Sequence, residues 1–324
     1  MVKAIRVHET GGPEALLYED YDLPAPGPGE VQIKQHAVGV NFIDVYFRTG
    51  AYPAPTKPFI PGNEGAGEIV ALGEGVTKFK LGDRVAYAGT LGAYAAARNI
   101  EAKFVVPLPQ NVSYETAAAM MLKGLTAEYL LFRSYPVKPG DTILIHAAAG
   151  GVGLIMCQWA RLLGATVIGT VGSEEKAKLA REAGAHETIL YRSEDFVARV
   201  KEITGGKLCA AVYDGVGKTT FPGSLDCLRP FGSFISFGAS SGPIEPFNIG
   251  LLAQKGSLYM QRPSLFAYIV DEARLGEMAG RLMEAVGSGK VKIAINARYK
   301  LAEAGAAHIA LEGRETTGAT VLLP

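Results

Sequence analysis

The apolar positions of this chain change their spacing along its length. Between residues 1 and about 120 they come in short runs: Ala4-Ile-Arg-Val7, Val31-Gln-Ile33, Glu68-Ile-Val-Ala-Leu72, Arg84-Val-Ala-Tyr87 and Phe104-Val-Val106. Turn formers part them, with Pro24, Pro26, Gly27, Pro28 and Gly29 in one cluster and Pro53, Pro55, Pro58, Pro61 and Gly62 in another. Short strands separated by such punctuation predict a mostly β domain. From Ser113 the spacing turns helical and continues to Phe132, where Pro136 and Pro139-Gly140 stop it. Thereafter strand and helix alternate. Strands are predicted at 142–146, 166–170, 187–190, 209–213, 233–237 and 257–261, with helices at 154–163, 174–183, about 194–203 and near 218–228. Gly184 is placed to close the second of these helices. This alternation predicts a parallel, doubly wound sheet with helices on both faces. Residues 265–287 then predict one long amphipathic helix, with Leu275, Met278, Leu282 and Val286 on its buried stripe. The mixed pattern that follows, from Ile293 to Leu323, is assigned back to the first domain.

The alternation begins at His146-Ala-Ala-Ala-Gly-Gly-Val-Gly153, between the run Thr142-Ile-Leu-Ile145 and a helical pattern starting at Leu154. Ala148, Gly150 and Gly153 stand at the spacing of the G-x-G-x-x-G dinucleotide fingerprint, with Ala for the first Gly. Small residues let the turn be tight and let backbone amides approach a pyrophosphate, while the helix N-terminus adds partial positive charge. Three small residues in a chain with 40 glycines also suit a plain structural turn; the flanking strand and helix favour the nucleotide.

Composition narrows the classes. The 324 residues are enough for two domains, and 48% hydrophobic content supports a large core. Lys plus Arg (32) balances Asp plus Glu (32), so no basic footprint for nucleic acid or an anionic membrane is present. No stretch approaches the roughly 20 apolar residues of a membrane span, and the N-terminal residues lack an apolar signal core, which predicts a cytoplasmic protein. Cys157, Cys209 and Cys227 have no paired spacing and predict neither disulfides nor a zinc lobe.

The end of the second alternating strand bears on the choice of nicotinamide cofactor. An NAD-binding fold places an acidic residue there, on the ribose hydroxyls. Here the positions are Val171, Gly172 and Ser173, with Lys176 one turn on. A hydroxyl and an ammonium suit a ribose phosphate, so NADPH is expected over NADH. The same residues fit a plainer role, Ser173 as a helix cap and Lys176 as a solvated side chain.

Gly62-Asn-Glu-Gly-Ala-Gly67, with Gly73 and Val76, resembles the G-H-E-x-x-G-x5-G-x-x-V pattern of the medium-chain dehydrogenase/reductase superfamily. Asn63 stands where that pattern has a zinc-ligating His. The segment Gly39–Asp44 lacks the Cys of the zinc alcohol dehydrogenases, and residues 88–112 contain none of the four Cys of a structural zinc lobe. Glu64 and Asp44 alone make a poor zinc site, so no metal is expected. The full length resembles the zinc-free NADPH:quinone oxidoreductase (zeta-crystallin-like) branch. The resemblance is carried by Val40–Gly50, Leu122–Thr126, His146–Gly153, Tyr213–Gly217, Ser236–Gly242, Arg262–Leu265 and Gly313–Gly318. It implies a GroES-like catalytic domain (1–124 and 263–324), a Rossmann NADPH-binding domain (125–262) and a homodimer joined through the nucleotide domains.

By the same resemblance Asn41 and Tyr46 lie beside the nicotinamide, and Thr126 lies near its ribose and phosphates. Gly150, Gly151, Val152 and Gly153 form the pyrophosphate turn. Ser173, Lys176 and Tyr191 meet the 2′-phosphate and adenosine. Phe237, Gly238 and Ser240 line the cofactor cleft, and Arg314 returns to it from the C-terminal segment. Each has a bland alternative: Tyr46 and Tyr52 as half-buried aromatics, Asn41 as a turn residue, Arg314 as a surface charge.

The expected reaction is transfer of reducing equivalents to a quinone held in a cleft between the domains. Tyr46 and Tyr52 would shape that cleft, and Asn41 with Asp44 would hold its polar edge. A quinone needs little acid catalysis, because it is a strong acceptor and its reduced oxygens take protons from water. His146 ends a strand beside the phosphates, too close to them for an acid at the nicotinamide. Rival readings are a reductase of conjugated enals or enones, which needs a proton delivered to carbon, and a crystallin-like cofactor-binding protein with little turnover. A zinc alcohol dehydrogenase ranks last.

Overall fold

The alternating segment forms a six-stranded parallel sheet in the order Glu187–Leu190, Thr166–Val171, Thr142–Ile145, Cys209–Asp214, Leu228–Ser236, Tyr259–Gln261. The computed structural model describes residues 1–313 and 316–324. Thr142–Ile145, the first of these strands, lies at the centre. The chain winds outward from it to one side and then returns to build the other. The resulting switch point lies at the C-terminal ends of Thr142–Ile145 and Cys209–Asp214. Cys209–Asp214 is buried throughout, which is why it reads as a continuous run rather than an alternation. Leu144, Ile168, Ile189, Val212 and Phe234 pack with Val200 and Leu225 into one core.

Local capping revises three expected helices. The helix expected from about 194 starts at Phe196, because the Asp195 carboxylate caps it, accepting from Val197 N (2.9 Å) and Ala198 N (3.3 Å). The helix expected near 218–228 shortens to Gly223–Asp226. The Val216 and Gly217 amides and the Thr220 hydroxyl are drawn instead onto the Asp214 carboxylate, and a side chain that bonds nearby backbone competes with helix. The long helix at 265–287 is two, Leu265–Ile269 and Glu272–Gly287. Asp271 is extended and caps the second, accepting from Arg274 N at 2.7 Å. Leu275, Met278 and Leu282 are buried as the stripe predicts, and Val286 is half-buried.

The sheet belongs to a unit of Thr126–Ala267 with Lys290–Lys292; the other unit comprises Met1–Leu125, Tyr268–Gly289 and Ile293–Pro324. In the latter a seven-stranded sheet runs Ile295–Lys300, Ala319–Leu323, Glu30–Val40, Glu64–Leu72, Arg84–Ala88, Val105–Pro107, with Ala97–Glu101 also paired to Glu30–Val40. Thr320 pairs with Val40 and Leu322 with Val38, so the far end of the chain flanks the strand that delivers Asn41. Along Glu30–Val40 burial alternates at Val31, Ile33 and Gln35 and becomes continuous from Ala37 to Val40. Gln35 is tolerated on the inward face because its Nε2 donates to the carbonyls of Ala93 and Ala95, both at 2.7 Å. The strand Ala97–Glu101 and the helices Phe42–Thr49 and Ala304–Glu312 escape the hydrophobic pattern. The strand is too polar, and the helices are too short for a 3.6-residue period to declare itself.

Candidate active site

The turn after Thr142–Ile145 feeds the helix Gly151–Leu162, with Gly150 as its N-cap. No side chain caps this helix and no acid occupies its first turn, so its first amides are left for an external acceptor. Ala147 adopts a left-handed φ of 54°, a conformation of the kind that makes a concave nest of backbone N–H groups. Gly153 packs so tightly that a methyl there would lie 2.5 Å from the Ala147 carbonyl oxygen and 2.6 Å from that of Ala148. A methyl at Gly150 would lie 3.2 Å from the Ala147 oxygen. A small-residue cradle against an uncapped helix fits the pyrophosphate of a dinucleotide.

The second strand ends beside it, at Val171. A methyl on Gly172 would come within 2.8 Å of the Tyr191 hydroxyl and 3.5 Å of Arg192 Nε, so both side chains lie over this glycine. Ser173 caps the next helix, its hydroxyl accepting from Lys176 N at 3.4 Å, so the plainer role expected of it is present. The same hydroxyl holds the exposed Glu175 carboxyl below its ordinary range. Ser173, Lys176 and Tyr191 thus share one strand end, with Arg192, which the sequence reading missed. A cation adjacent to Tyr191 was the available signal.

The third wall is the end of Cys209–Asp214. Phe237 N donates to the Asp214 carbonyl (2.8 Å) and Ser240 N to that of Gly215 (3.2 Å), which places Phe237, Gly238 and Ser240 against the Asp214–Gly217 turn. A methyl on Gly238 would strike the Gly215 oxygen at 2.6 Å. His146 ties the end of its strand to its neighbours, with Nδ1 2.9 Å from Thr170 Oγ1 and Nε2 3.0 Å from Ser224 Oγ in the helix Gly223–Asp226. Burial lowers its pKa and keeps it neutral. It is a structural tie rather than an acid. Thr126 is buried in the helix Tyr114–Tyr129.

In the other unit, Asn41 caps the helix Phe42–Thr49 and leads a buried polar cluster. Its Nδ2 donates to Glu64 Oε1 at 2.7 Å. Glu64, without exposed surface, also accepts from Lys123 Nζ (2.7 Å) and Leu122 N (2.7 Å). Asp44 is fully buried, and Asn63 Nδ2 (2.8 Å), Tyr94 OH (3.0 Å) and Asn41 N (2.9 Å) all donate to it. Burial raises its pKa to about 6, with those three donors and the nearby Glu64 as smaller influences of both signs. Asp44 therefore does not form the polar edge of a substrate cleft: it has no surface to offer, and its oxygens are committed inward. These residues do not fit zinc. Asn63 directs an N–H at Asp44, Lys123 already compensates Glu64, and neither Cys nor His joins them. Among the described residues no group of three or more His, Cys, Asp or Glu could hold a metal ion.

Tyr46 and Tyr52 are brought together, ring centroids 5.0 Å apart, with Phe42 5.4 Å from Tyr46 and Phe47 5.8 Å from Tyr52. Both tyrosines are half-buried. Arg314 lies outside the described residues. The sequence reading did not single out Lys123, Arg48, Tyr94 or His308. Each lies far along the chain from the group it serves, and nothing local marks it.

Comparison with known proteins follows the same division. Residues 27–134 match the alcohol dehydrogenase GroES-like domain, and residues 151–264 match the zinc-binding dehydrogenase domain. Across its whole length the chain is 53% identical to a quinone oxidoreductase of Pseudomonas aeruginosa, itself covered completely. A crystal structure of Escherichia coli quinone oxidoreductase complexed with NADPH superposes with a TM-score of 0.97 at 48% identity, covering 99% of this chain and 100% of that one. A 2-haloacrylate reductase of a Burkholderia species is 44% identical over 100% of this chain and 99% of its own.

Proposed function

The chain belongs to the quinone oxidoreductase family of the medium-chain dehydrogenases and reductases, and from that premise we propose that it reduces quinones with NADPH and without a metal ion. The observation that carries the metal-free reading is the direction of two hydrogen bonds, from Asn63 Nδ2 to Asp44 and from Lys123 Nζ to Glu64. Donors fill the places where a cation's ligands would stand. NADPH, when bound, supplies the reducing equivalents at nicotinamide C4. The residues of the chain supply position. Gly151, Val152 and Gly153 take the pyrophosphate on the first amides of the helix, Gly150, whose own N–H donates to the Ala147 carbonyl (2.9 Å), lets it approach, and Thr126, Phe237, Gly238 and Ser240 border the rest of the cofactor. Arg314 is assigned to it by resemblance alone. Asn41 flanks the nicotinamide, and Tyr46 with Tyr52 gives the substrate an aromatic wall and two hydroxyls. The reduced quinone oxygens take their protons from water.

Ser173, Lys176, Tyr191 and Arg192 are proposed to select the 2′-phosphate. Lys176→Glu places a carboxylate against that phosphate and is expected to raise the Kd for NADPH at least tenfold, about 1.4 kcal/mol, while leaving NADH nearly unchanged. Titration of both cofactors by fluorescence checks this, and equal losses for the two would remove Lys176 from the site. The reaction itself is tested by NADPH oxidation against a panel of quinones and enones, with NADH as control. The second reading, reduction of a conjugated carbonyl, is favoured by the paired phenols of Tyr46 and Tyr52, either of which can supply a proton to carbon. A Tyr46→Phe/Tyr52→Phe enzyme separates the two readings. Quinone turnover should largely survive, and enone turnover should not.

A homodimer through the nucleotide unit is part of the same proposal. It is supported by the edge strand Tyr259–Gln261, paired on one side only, and by Phe231, Ile249 and Tyr259, exposed by 69%, 77% and 64%. A cytoplasmic setting is supported by three buried free thiols. No described helix is long and apolar enough to cross a membrane.

A further inference from the structure

We infer that Arg48, His308 and Tyr94 form a one-way hydrogen-bonded chain that sets the ionisation of Asp44 and, through it, the donors arranged around that carboxylate: the Asn63 amide and the backbone N–H of Asn41. They are then positioning residues for quinone reduction, and this part rests on the functional reading above.

The direction of every link is dictated by chemistry. The Arg48 side chain is 1% exposed and forks onto Glu312, with Nη1 2.8 Å from one carboxylate oxygen and Nη2 2.9 Å from the other. Nη1 also approaches His308 Nδ1 at 3.2 Å. A guanidinium only donates, so Nδ1 is the acceptor and the ring proton sits on Nε2. His308 is held neutral, its pKa lowered to about 3 by burial and by Arg48. Nε2–H then donates to the Tyr94 oxygen at 3.0 Å, which leaves the phenol proton one destination, Asp44 Oδ2 at 3.0 Å. Burial and the Asp44 charge keep the phenol protonated, well above its ordinary pKa. On Asp44 the chain meets Asn41 N and Asn63 Nδ2, both donors.

An ionised Asp44 satisfies all of these donors, and a protonated one does not. Its new O–H must face an N–H or the phenol. The backbone N–H of Asn41 cannot turn, but the Asn63 amide can rotate by half a turn and present its oxygen. This flip rearranges the donors around Asp44, one of which is the backbone N–H of Asn41, the residue assigned to the nicotinamide. The titratable groups that act on Asp44 directly are Glu64, paired with Lys123, and Tyr94; His308 and Arg48, the latter paired with Glu312, reach it through the Tyr94 hydroxyl. Asp44 titrates at about 6, inside the working range of an enzyme.

The test is the pH profile of kcat with a quinone, beside the pH dependence of NADPH affinity. The wild-type protein should show an acidic limb near the Asp44 value in kcat and a flat Kd for NADPH. Tyr94→Phe removes a donor from the carboxylate, so the limb moves up by about one pH unit and activity recovers toward wild type at higher pH. Glu312→Gln leaves Arg48 less neutralised, so the limb moves down. In Asp44→Asn the limb disappears. A Tyr94→Phe profile lowered uniformly, or two variants moving the limb in the same direction, overturns the inference.

Thermal stability gives a readout that needs no turnover. Asp44 holds its proton to a higher pH folded than unfolded, so its contribution to stability falls as pH rises from about 4 to about 6. His308 does the opposite, losing stability as pH falls below its unfolded value of 6.5 toward about 3. In wild type these slopes oppose. Asp44→Asn should therefore make Tm fall more steeply on acidification from pH 6 to 4 than in wild type. If no quinone is reduced but this steepening appears and Tyr94→Phe carries the Asp44 slope to higher pH, the functional reading fails and the chain from Tyr94 to Asp44 stands. If quinones are reduced and neither limb nor slope changes, the reverse holds.

Discussion

Lys123→Met should destabilise the unit containing Glu64 by roughly 3–5 kcal/mol at pH 8, the cost typical of stranding one partner of a buried ion pair. The reason is specific to this site. Glu64 has no exposed surface, and Lys123 Nζ at 2.7 Å is the cation paired with it. Without the ammonium, the carboxylate keeps Asn41 Nδ2 and Leu122 N as donors, but these neutral groups do not balance a charge out of reach of water. One signature distinguishes this from simple loss of packing. The deficit should largely vanish in Lys123→Met/Glu64→Gln, where no charge remains to strand. Urea or thermal unfolding of the two variants at pH 8 measures it. A double variant no more stable than the single one would show that Lys123 contributes by shape and not by charge.

Gly153→Ala should damage stability and cofactor binding together, whereas Gly150→Ala should leave stability within about 1 kcal/mol of wild type. The two glycines belong to one sequence motif but face different constraints. At Gly153 an added methyl meets backbone oxygens of Ala147 and Ala148 at 2.5 and 2.6 Å, and backbone oxygens cannot swing aside as a side chain would. The helix Gly151–Leu162 must then back away from the turn, at about 1–3 kcal/mol for overpacking. Its uncapped amides leave the position in which they are proposed to meet a pyrophosphate. A loss of about a hundredfold in NADPH affinity corresponds to 2.7 kcal/mol, comparable to that displacement. At Gly150 the nearest atom is the Ala147 oxygen at 3.2 Å, which a shift of a few tenths of an ångström accommodates. Calorimetric titration with NADPH and thermal unfolding of the two variants separate packing from ligand approach. Wild-type affinity in Gly153→Ala would mean that the helix start does not hold the phosphates.

These two cases also mark what can be read along a chain. The glycine turn is legible because its parts are consecutive: a buried strand, a run of small residues, a helix. The periodicities on either side then predict the parallel sheet. Helix ends were misjudged where an aspartate intervened. Asp195, Asp214 and Asp271 each divert nearby backbone or hydroxyl donors to a carboxylate, and hydrophobic spacing does not register that competition. The absence of a metal-ligand His was equally plain at Asn63, but what replaces it was not. Lys123 lies 59 residues from Glu64, and His308 lies 214 from Tyr94. Pairings at that separation leave no local pattern.

Asp44 shows the boundary most clearly. Read in sequence, it is a carboxylate three residues from Asn41 and a candidate for the edge of a substrate cleft. Folded, it is sealed behind Asn63 with every oxygen committed. Residue order alone is enough for the elements built from neighbours: the doubly wound sheet, the glycine turn between a strand and a helix, and the missing zinc-ligand His at Asn63. Which polar groups are buried, and hence which carboxylate needs a cation and which histidines must be neutral, is set by the fold. The physical reason is that spacing along a chain encodes local geometry, whereas the state of a charge depends on its distance from water and from other charges, which folding alone sets.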